Sequence, residues 1–205
     1  MWTSDSLDAL DRVHIQRGFS LLFPPELMGS HIGAPSAHTT KRTHRLGFRA
    51  APAIFGAFGI EWNLLDAQED ELKTIQSIVS LHKRFRPLLH GGRARWIDHP
   101  DKTIVAHVVV ANDCSEAILS VTRVRSSHTM RSAPVRIHGL EEDRMYAVEM
   151  LQDLLEPLGG AHAQPEWTGH GSSVQCTGRQ LRVAGVVLPE MVPESAVLIR
   201  LHACA

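Results

Sequence analysis

L-D-A-L-D-R-V-H-I-Q-R-G-F-S-L-L-F-P-P, residues 7–25, decides the fold class of the first half of the chain. A helix is predicted over about Leu7 to Arg17, with Asp5 or Ser6 as its N-cap and Gly18 as its stop signal. Directly behind it, Phe19 to Phe23 is a short apolar run closed by Pro24 and Pro25, the texture of a buried parallel strand. Working outward, a long loop is expected from about Gly29 to Thr43, then a helical segment from Leu46 to Phe58 interrupted by Pro52. Asp70 to Phe85 is the clearest helix. Leu72, Ile75, Ile78/Val79 and His82/Phe85 recur at three-to-four spacing, acids lead, Lys83, Arg84 and Arg86 trail, and Pro87 is expected to end it. Helix, buried strand, long loop and helix make half a turn of an α/β barrel.

From about residue 93 the texture changes to short apolar alternations separated by Asp, Asn, Gly and Pro turns. Seven strands are predicted: Arg93 to Ile97, Ile104 to Ala111, Ala117 to Val124, Val135 to Ile137, Met145 to Leu151, Gln180 to Val187 and Ala196 to Leu201. Their spacing suggests an antiparallel β-sandwich. The stretch from Glu156 to Gly178, with five glycines and little apolar periodicity, supports no assignment. The fold class expected is therefore α/β plus all-β: residues 1–88 as the C-terminal end of a (β/α)8 barrel, and 89–205 as a β-sandwich domain. A complete barrel takes about 250 residues, so the first part is expected to be an incomplete scaffold.

Composition narrows the function classes. The chain has 205 residues, is 43% hydrophobic and 21% charged, and carries a net charge of −1, which offers nucleic acid no long-range attraction. The basic stretches around Arg93/Arg95 and from Arg123 to Arg136 read as solvated strand faces. No run of eighteen apolar residues appears, and the first residues have neither a basic region nor an apolar signal core, so no membrane partner and a cytoplasmic address are expected. Cys114, Cys176 and Cys204 are far apart and odd in number, without C-x-x-C spacing, and read as reduced thiols. Thirteen histidines are many for this length, but none forms an H-E-x-x-H pair, so neither a metal nor another cofactor is expected.

The chemistry is carried by an ordered series: W-T-S-D-x-x-D (Trp2 to Asp8), I-Q-R-G (Ile15 to Gly18), S-L-L-F-P-P-E-L-M-G-S-H-I-G (Ser20 to Gly33), H-T-T-K-R (His38 to Arg42) and F-G-A-F-G-I-E-W-N-L (Phe55 to Leu64). This series resembles the end of the catalytic barrel in α-galactosidases of glycoside hydrolase family 36. The later pieces R-P-L-L-H-G-G-R (Arg86 to Arg93), D-H-P-D (Asp98 to Asp101) and V-V-L-P-E-M-V-P-E-S-A-V-L-I (Val186 to Ile199) resemble the C-terminal β-domain of the same enzymes.

The resemblance implies retaining hydrolysis of terminal α-galactosides by two carboxylates about 5 Å apart. It places the acid/base on Asp5, the Asp of W-T-S-D. It also implies a nucleophile on the Asp of a K-W-D segment and a glycine-rich galactose-binding segment with Cys and Arg, and this sequence contains neither. The chain is therefore expected to be inactive alone, with Asp5 an ordinary ionised surface group. Trp2, Asp8, Ser30 and His31 are the candidate substrate-binding residues. Read by position alone, Asp5 could equally be an N-cap and Asp8 a first-turn carboxylate favoured by the helix dipole. Ser30, His31 and His38 fall in or beside the long loop, where a substrate rim would form, and Trp62 is either a sugar platform or a packing residue. The partners implied are an α-galactoside, a separately encoded N-terminal barrel part and a further copy of the chain covering open barrel faces. A non-catalytic sugar-binding module built on the β-domain is the alternative.

Overall fold

The computed structural model describes residues 1–129, 131–151 and 173–204. Most of the glycine-rich stretch that supported no assignment lies outside them. The chain divides into two compact units, Met1–His90 and Gly91–Ala205.

In the first unit the order is α1 (Ala9–Phe19), β1 (Gly29–Gly33), α2 (Leu46–Ala53), β2 (Ala57–Glu61) and α3 (Glu69–Gly91). The cap of α1 is Asp8, not Asp5 or Ser6: its carboxylate accepts the N–H groups of Leu10 and Asp11, which have no partner inside the helix. The expected buried strand at Phe19 to Phe23 does not form. Phe19 closes α1, Ser20 donates its N–H to Gln16 O, and the Phe19 ring stacks on Phe23 at 4.9 Å between centroids. Leu21 and Leu22 are left 77% and 83% exposed. An apolar run makes a buried strand only where neighbours flank it, and these residues instead turn back on the end of their own helix.

The strand lies ten residues further on, inside the expected loop. β1 pairs in parallel with β2, from Gly29 opposite Ala57 to Gly33 opposite Glu61. On the other side of β1, Met1 N donates to Leu27 O and Gly29 N to Met1 O, each 2.8 Å, so the backbone of Met1 continues the ladder in the offset a parallel neighbour uses. Each parallel neighbour is reached through a helix, α1 and then α2, as a crossover connection requires. Glycine makes this close spacing possible: a Cβ on Gly56 would stand 2.6 Å from both Met28 O and Ser30 Cβ.

Both prolines act differently from expectation. Pro52 sits in the last turn of α2, which stops at Ala53 because residues from Ala57 onward are drawn into pairing with β1. α3 runs through Pro87 to Gly91. Proline removes one donor, and the apolar stripe Ile75, Ile78, His82, Phe85 and Leu89 keeps the helix packed on both sides of that gap.

The second unit holds β3 (Arg93–Ile97), β4 (Ile104–Val110), β5 (Glu116–Arg123), β6 (Met145–Met150), β7 (Ser173–Thr177), α4 (Gly178–Val183) and β8 (Ser195–Ala203). They form one antiparallel sheet in the order β3-β4-β5-β8-β6-β7. Five of the predicted strands are present. Gln180 to Val187 instead begins as helix α4, started by a capping box in which Thr177 and Gln180 bond each other's backbone, and ends in a single bridge from Val186 to Val135. Val135 to Ile137 is reduced to that bridge. β7 was missed because Ser173–Thr177 is polar and lies in the stretch without periodicity. Among the described residues no second sheet faces the first. One face of the sheet, with Val108, Leu119, Tyr146 and Ile199, is covered instead by Val135, Ile137, Leu181, Leu188 and Met191 from the connections.

Candidate active site

Asp5 sits ahead of α1, on the segment that follows the Met1 ladder. It is exposed, and its Oδ1 accepts the indole N–H of Trp2 at 2.8 Å. The Trp2 ring in turn lies 5.4 Å from the His31 imidazole, tilted by 60°. His31 is held on its other side by Glu61, whose Oε2 is 2.9 Å from Nδ1. Register explains why these residues meet. Alternate residues of a strand share a face, so Gly29, His31 and Gly33 lie on one face of β1 beside Ala57, Gly59 and Glu61 of β2. The absence of a side chain at Gly59 lets the imidazole lie flat there: a Cβ would stand 2.7 Å from His31 Cδ2. Trp2, Asp5, His31 and Glu61 thus form one cluster, two hydrogen-bonded pairs joined by the Trp2–His31 ring contact.

The other candidates are placed elsewhere. Ser30 is completely buried on the opposite face of β1, where Gln16 Nε2 donates to its Oγ at 2.5 Å and that hydroxyl faces Pro52 O at 3.4 Å. It joins β1 to α1 and α2 and lines no rim, because the expected loop is a strand whose alternation turns Ser30 inward. Asp8 is also fully buried. Besides capping α1 it accepts from Thr40 Oγ1 and, at 2.6 Å, from Arg42 Nε, while Arg42 also bonds Asp11. Burial pushes the Asp8 carboxyl up, but Arg42, Thr40 and the Asp11 N–H outweigh it and hold it below the ordinary carboxylate range. Asp8 therefore pins the 34–43 connection to the start of α1 and has no free oxygen for a sugar. His38 is exposed in that connection. Trp62 is partly buried with the Arg49 guanidinium 4.8 Å from its ring centre, a packing role.

Two features escaped the sequence reading. Glu61, the partner of His31, could have been found only by recognising Ala57–Glu61 as a strand, since its period of two then places a carboxylate beside His31. Arg12 and Gln16 lie on the buried side of α1, where an apolar stripe would be expected, and they bond Gly29 O at 2.5 Å and Ser30. Burial lowers the pKa of the Arg12 guanidinium, and the nearby charge of Glu61 partly restores it. Among the described residues no three His, Cys, Asp or Glu side chains converge as metal ligands would, and no helix is long and apolar enough to cross a membrane.

Comparison with known proteins matches both units. Residues 1–92 match the Melibiase family model, and residues 104–201 match the glycosyl hydrolase family 36 C-terminal domain. An α-galactosidase of Escherichia coli is 34% identical over 98% of this chain, which spans 29% of that relative's length. α-Galactosidase C of Emericella nidulans is 36% identical over 73% of the chain and 20% of its own length. Among solved structures, the family 36 α-galactosidase AgaB from Geobacillus stearothermophilus superposes with a TM-score of 0.82 at 28% identity, covering 98% of this chain and 25% of that one. The galactosidase domain of the α-galactosidase-sucrose kinase AgaSK gives a TM-score of 0.80 at 25% identity, covering 97% and 25%. With a Melibiase match in its first half and a family 36 match in its second, the chain belongs to glycoside hydrolase family 36.

Proposed function

We propose that this chain supplies the acid/base half of a retaining α-galactosidase, on the closing βα units of a (β/α)8 barrel followed by the C-terminal β-domain, and that it turns over substrate only when the rest of the barrel is provided. The observation that carries this reading is the Trp2–Asp5 contact beside His31 and Glu61: an exposed carboxylate, oriented by an indole N–H, where a parallel strand hands over to a helix, the position at which barrel enzymes place catalytic groups.

In the retaining reaction one carboxylate attacks the anomeric carbon while an acid protonates the departing oxygen. The same acid, now a base, then takes a proton from the water that hydrolyses the glycosyl ester. Asp5 is suited to the second role. It is reachable from solvent, and the Trp2 N–H fixes one of its oxygens and leaves the other free for the glycosidic oxygen. Glu61 is taken up by His31, and no K-W-D segment stands elsewhere in the chain. The α-galactoside substrate is supported by relatives described as α-galactosidases, and the barrel by the parallel β1–β2 pair reached through helices.

The test is to assay the chain with a chromogenic α-galactoside, alone and mixed with a polypeptide carrying the preceding barrel strands of a family 36 enzyme. No turnover alone, and turnover on mixing that Asp5→Asn abolishes, is the expected result. Turnover by the chain alone would overturn the reading.

A further inference from the structure

We propose that the second unit carries a binding pocket for a phosphate-bearing small molecule, built on the edge strand β3. A cavity of about 690 Å³ opens there, lined by Arg95, Trp96, Asp98, Lys102, Arg136 and His138 among others, within the size range of small-ligand sites. Three permanent cations face one carboxylate. That imbalance is local, because the whole chain is almost neutral at −1.

The pairing of the arginines makes the imbalance informative. Arg123, Arg144, Arg179, Arg182 and Arg200 of this unit each meet a carboxylate within 4 Å. The guanidinium groups of Arg95 and Arg136 have no hydrogen bond and no acidic partner among the described residues, although both residues border the same cavity. Two unpaired guanidinium forks at one hollow, with an ammonium beside them, form the arrangement that binds a tetrahedral dianion by paired charge-assisted hydrogen bonds.

The walls are fixed in advance. Arg95 stands opposite Val108 in the β3–β4 ladder, and Val108 forms part of the lining. Arg136 follows Val135, which is tied to Val186 by two backbone hydrogen bonds of 2.9 and 2.8 Å. His99 is buried and joins the two sides: its Nδ1 accepts the Asp101 N–H at 3.1 Å and its Nε2 donates to Ala133 O at 2.9 Å. With both ring nitrogens engaged, His99 is a brace and not a ligand group. A site whose walls are already in place loses little entropy on binding.

Isothermal titration of the full chain with a hexose 1-phosphate, with inorganic phosphate and with the unphosphorylated hexose tests the assignment. Saturable binding of the hexose phosphate is expected, falling as salt rises. The double variant Arg95→Ala/Arg136→Ala should weaken it by about tenfold or more, while Arg125→Ala leaves it unchanged; both cavity arginines are exposed, and circular dichroism checks that the variant is folded. Inorganic phosphate binding as tightly as the hexose phosphate would also support the pocket and identify free phosphate as the occupant. Absence of saturable binding by either phosphate at millimolar concentration, equal binding of the unphosphorylated hexose, or binding that survives the double substitution would overturn the proposal.

Discussion

At the scale of single residues, the proposed chemistry rests on Asp5, an exposed acid bonded by Trp2. Trp2→Phe keeps the ring and removes the N–H that orients Asp5. It should leave stability of the chain within about 0.5 kcal/mol, as expected for an exposed contact, while lowering kcat of the reconstituted enzyme about tenfold or more; chemical denaturation and steady-state kinetics read the two effects. Asp8→Ala removes a helix cap and the buried partner of Arg42, and should cost about 2 kcal/mol or more in urea denaturation. Asp101 gives a pH signature. Burial raises its carboxyl, but hydrogen bonds from the hydroxyl and N–H of Thr103 and from Ser127, with the charge of Arg123, outweigh this and bring it from 3.8 down to about 2. A lowered native value means the contribution is present above the unfolded value and is lost as acid reaches the native one. The stability advantage over Asp101→Asn should therefore be full above about pH 4 and shrink towards pH 2, followed by thermal unfolding across that range. W-T-S-D marks Asp5 in the sequence, and the structure leaves it exposed beside Trp2. The burial of Ser30 and Asp8 was not legible, because a short polar side chain near a glycine-rich stretch looks the same whether it lines a rim or joins buried elements; only the register of β1 and the cap of α1 tell these apart.

Among the elements, sequence pattern worked best where apolar residues run in regular blocks. α3 carries a helical apolar stripe, β4, β5 and β8 carry apolar runs buried on both faces, and these elements, with β3 and β6, stand close to where the pattern placed them. It failed at β1, where Gly29–Gly33 is a strand because the fold needs small residues for close backbone approach, while the apolar run at Phe19 to Phe23 has no strand beside it. Gly56→Ala tests that reading. Its Cβ would meet the Met28 carbonyl, which is backbone and cannot swing aside, so a loss of about 1–3 kcal/mol is expected in thermal or urea unfolding. Gly18→Ala, with nothing within 4 Å, should cost far less. α4 failed for a different reason: the alternation from Gln180 to Val187 looks like a strand until the Thr177–Gln180 capping box is weighed against it.

For the whole molecule, the proposed reaction sets a chemical requirement that this chain is expected to fill only in part. A glycosyl ester needs one carboxylate to form it and a second group to protonate the leaving oxygen. Beside β1 and β2, Asp5 is an exposed carboxylate with one oxygen taken by Trp2, while Glu61 is bound to His31. The direct measurement is the rate of α-galactoside hydrolysis by the purified chain, by the preceding barrel polypeptide and by their mixture, each with native Asp5 and with Asp5→Asn. Hydrolysis confined to the mixture with native Asp5 is the expected result. Hydrolysis by the chain alone, or by a mixture containing Asp5→Asn at the native rate, would contradict the assignment of Asp5 as the acid/base.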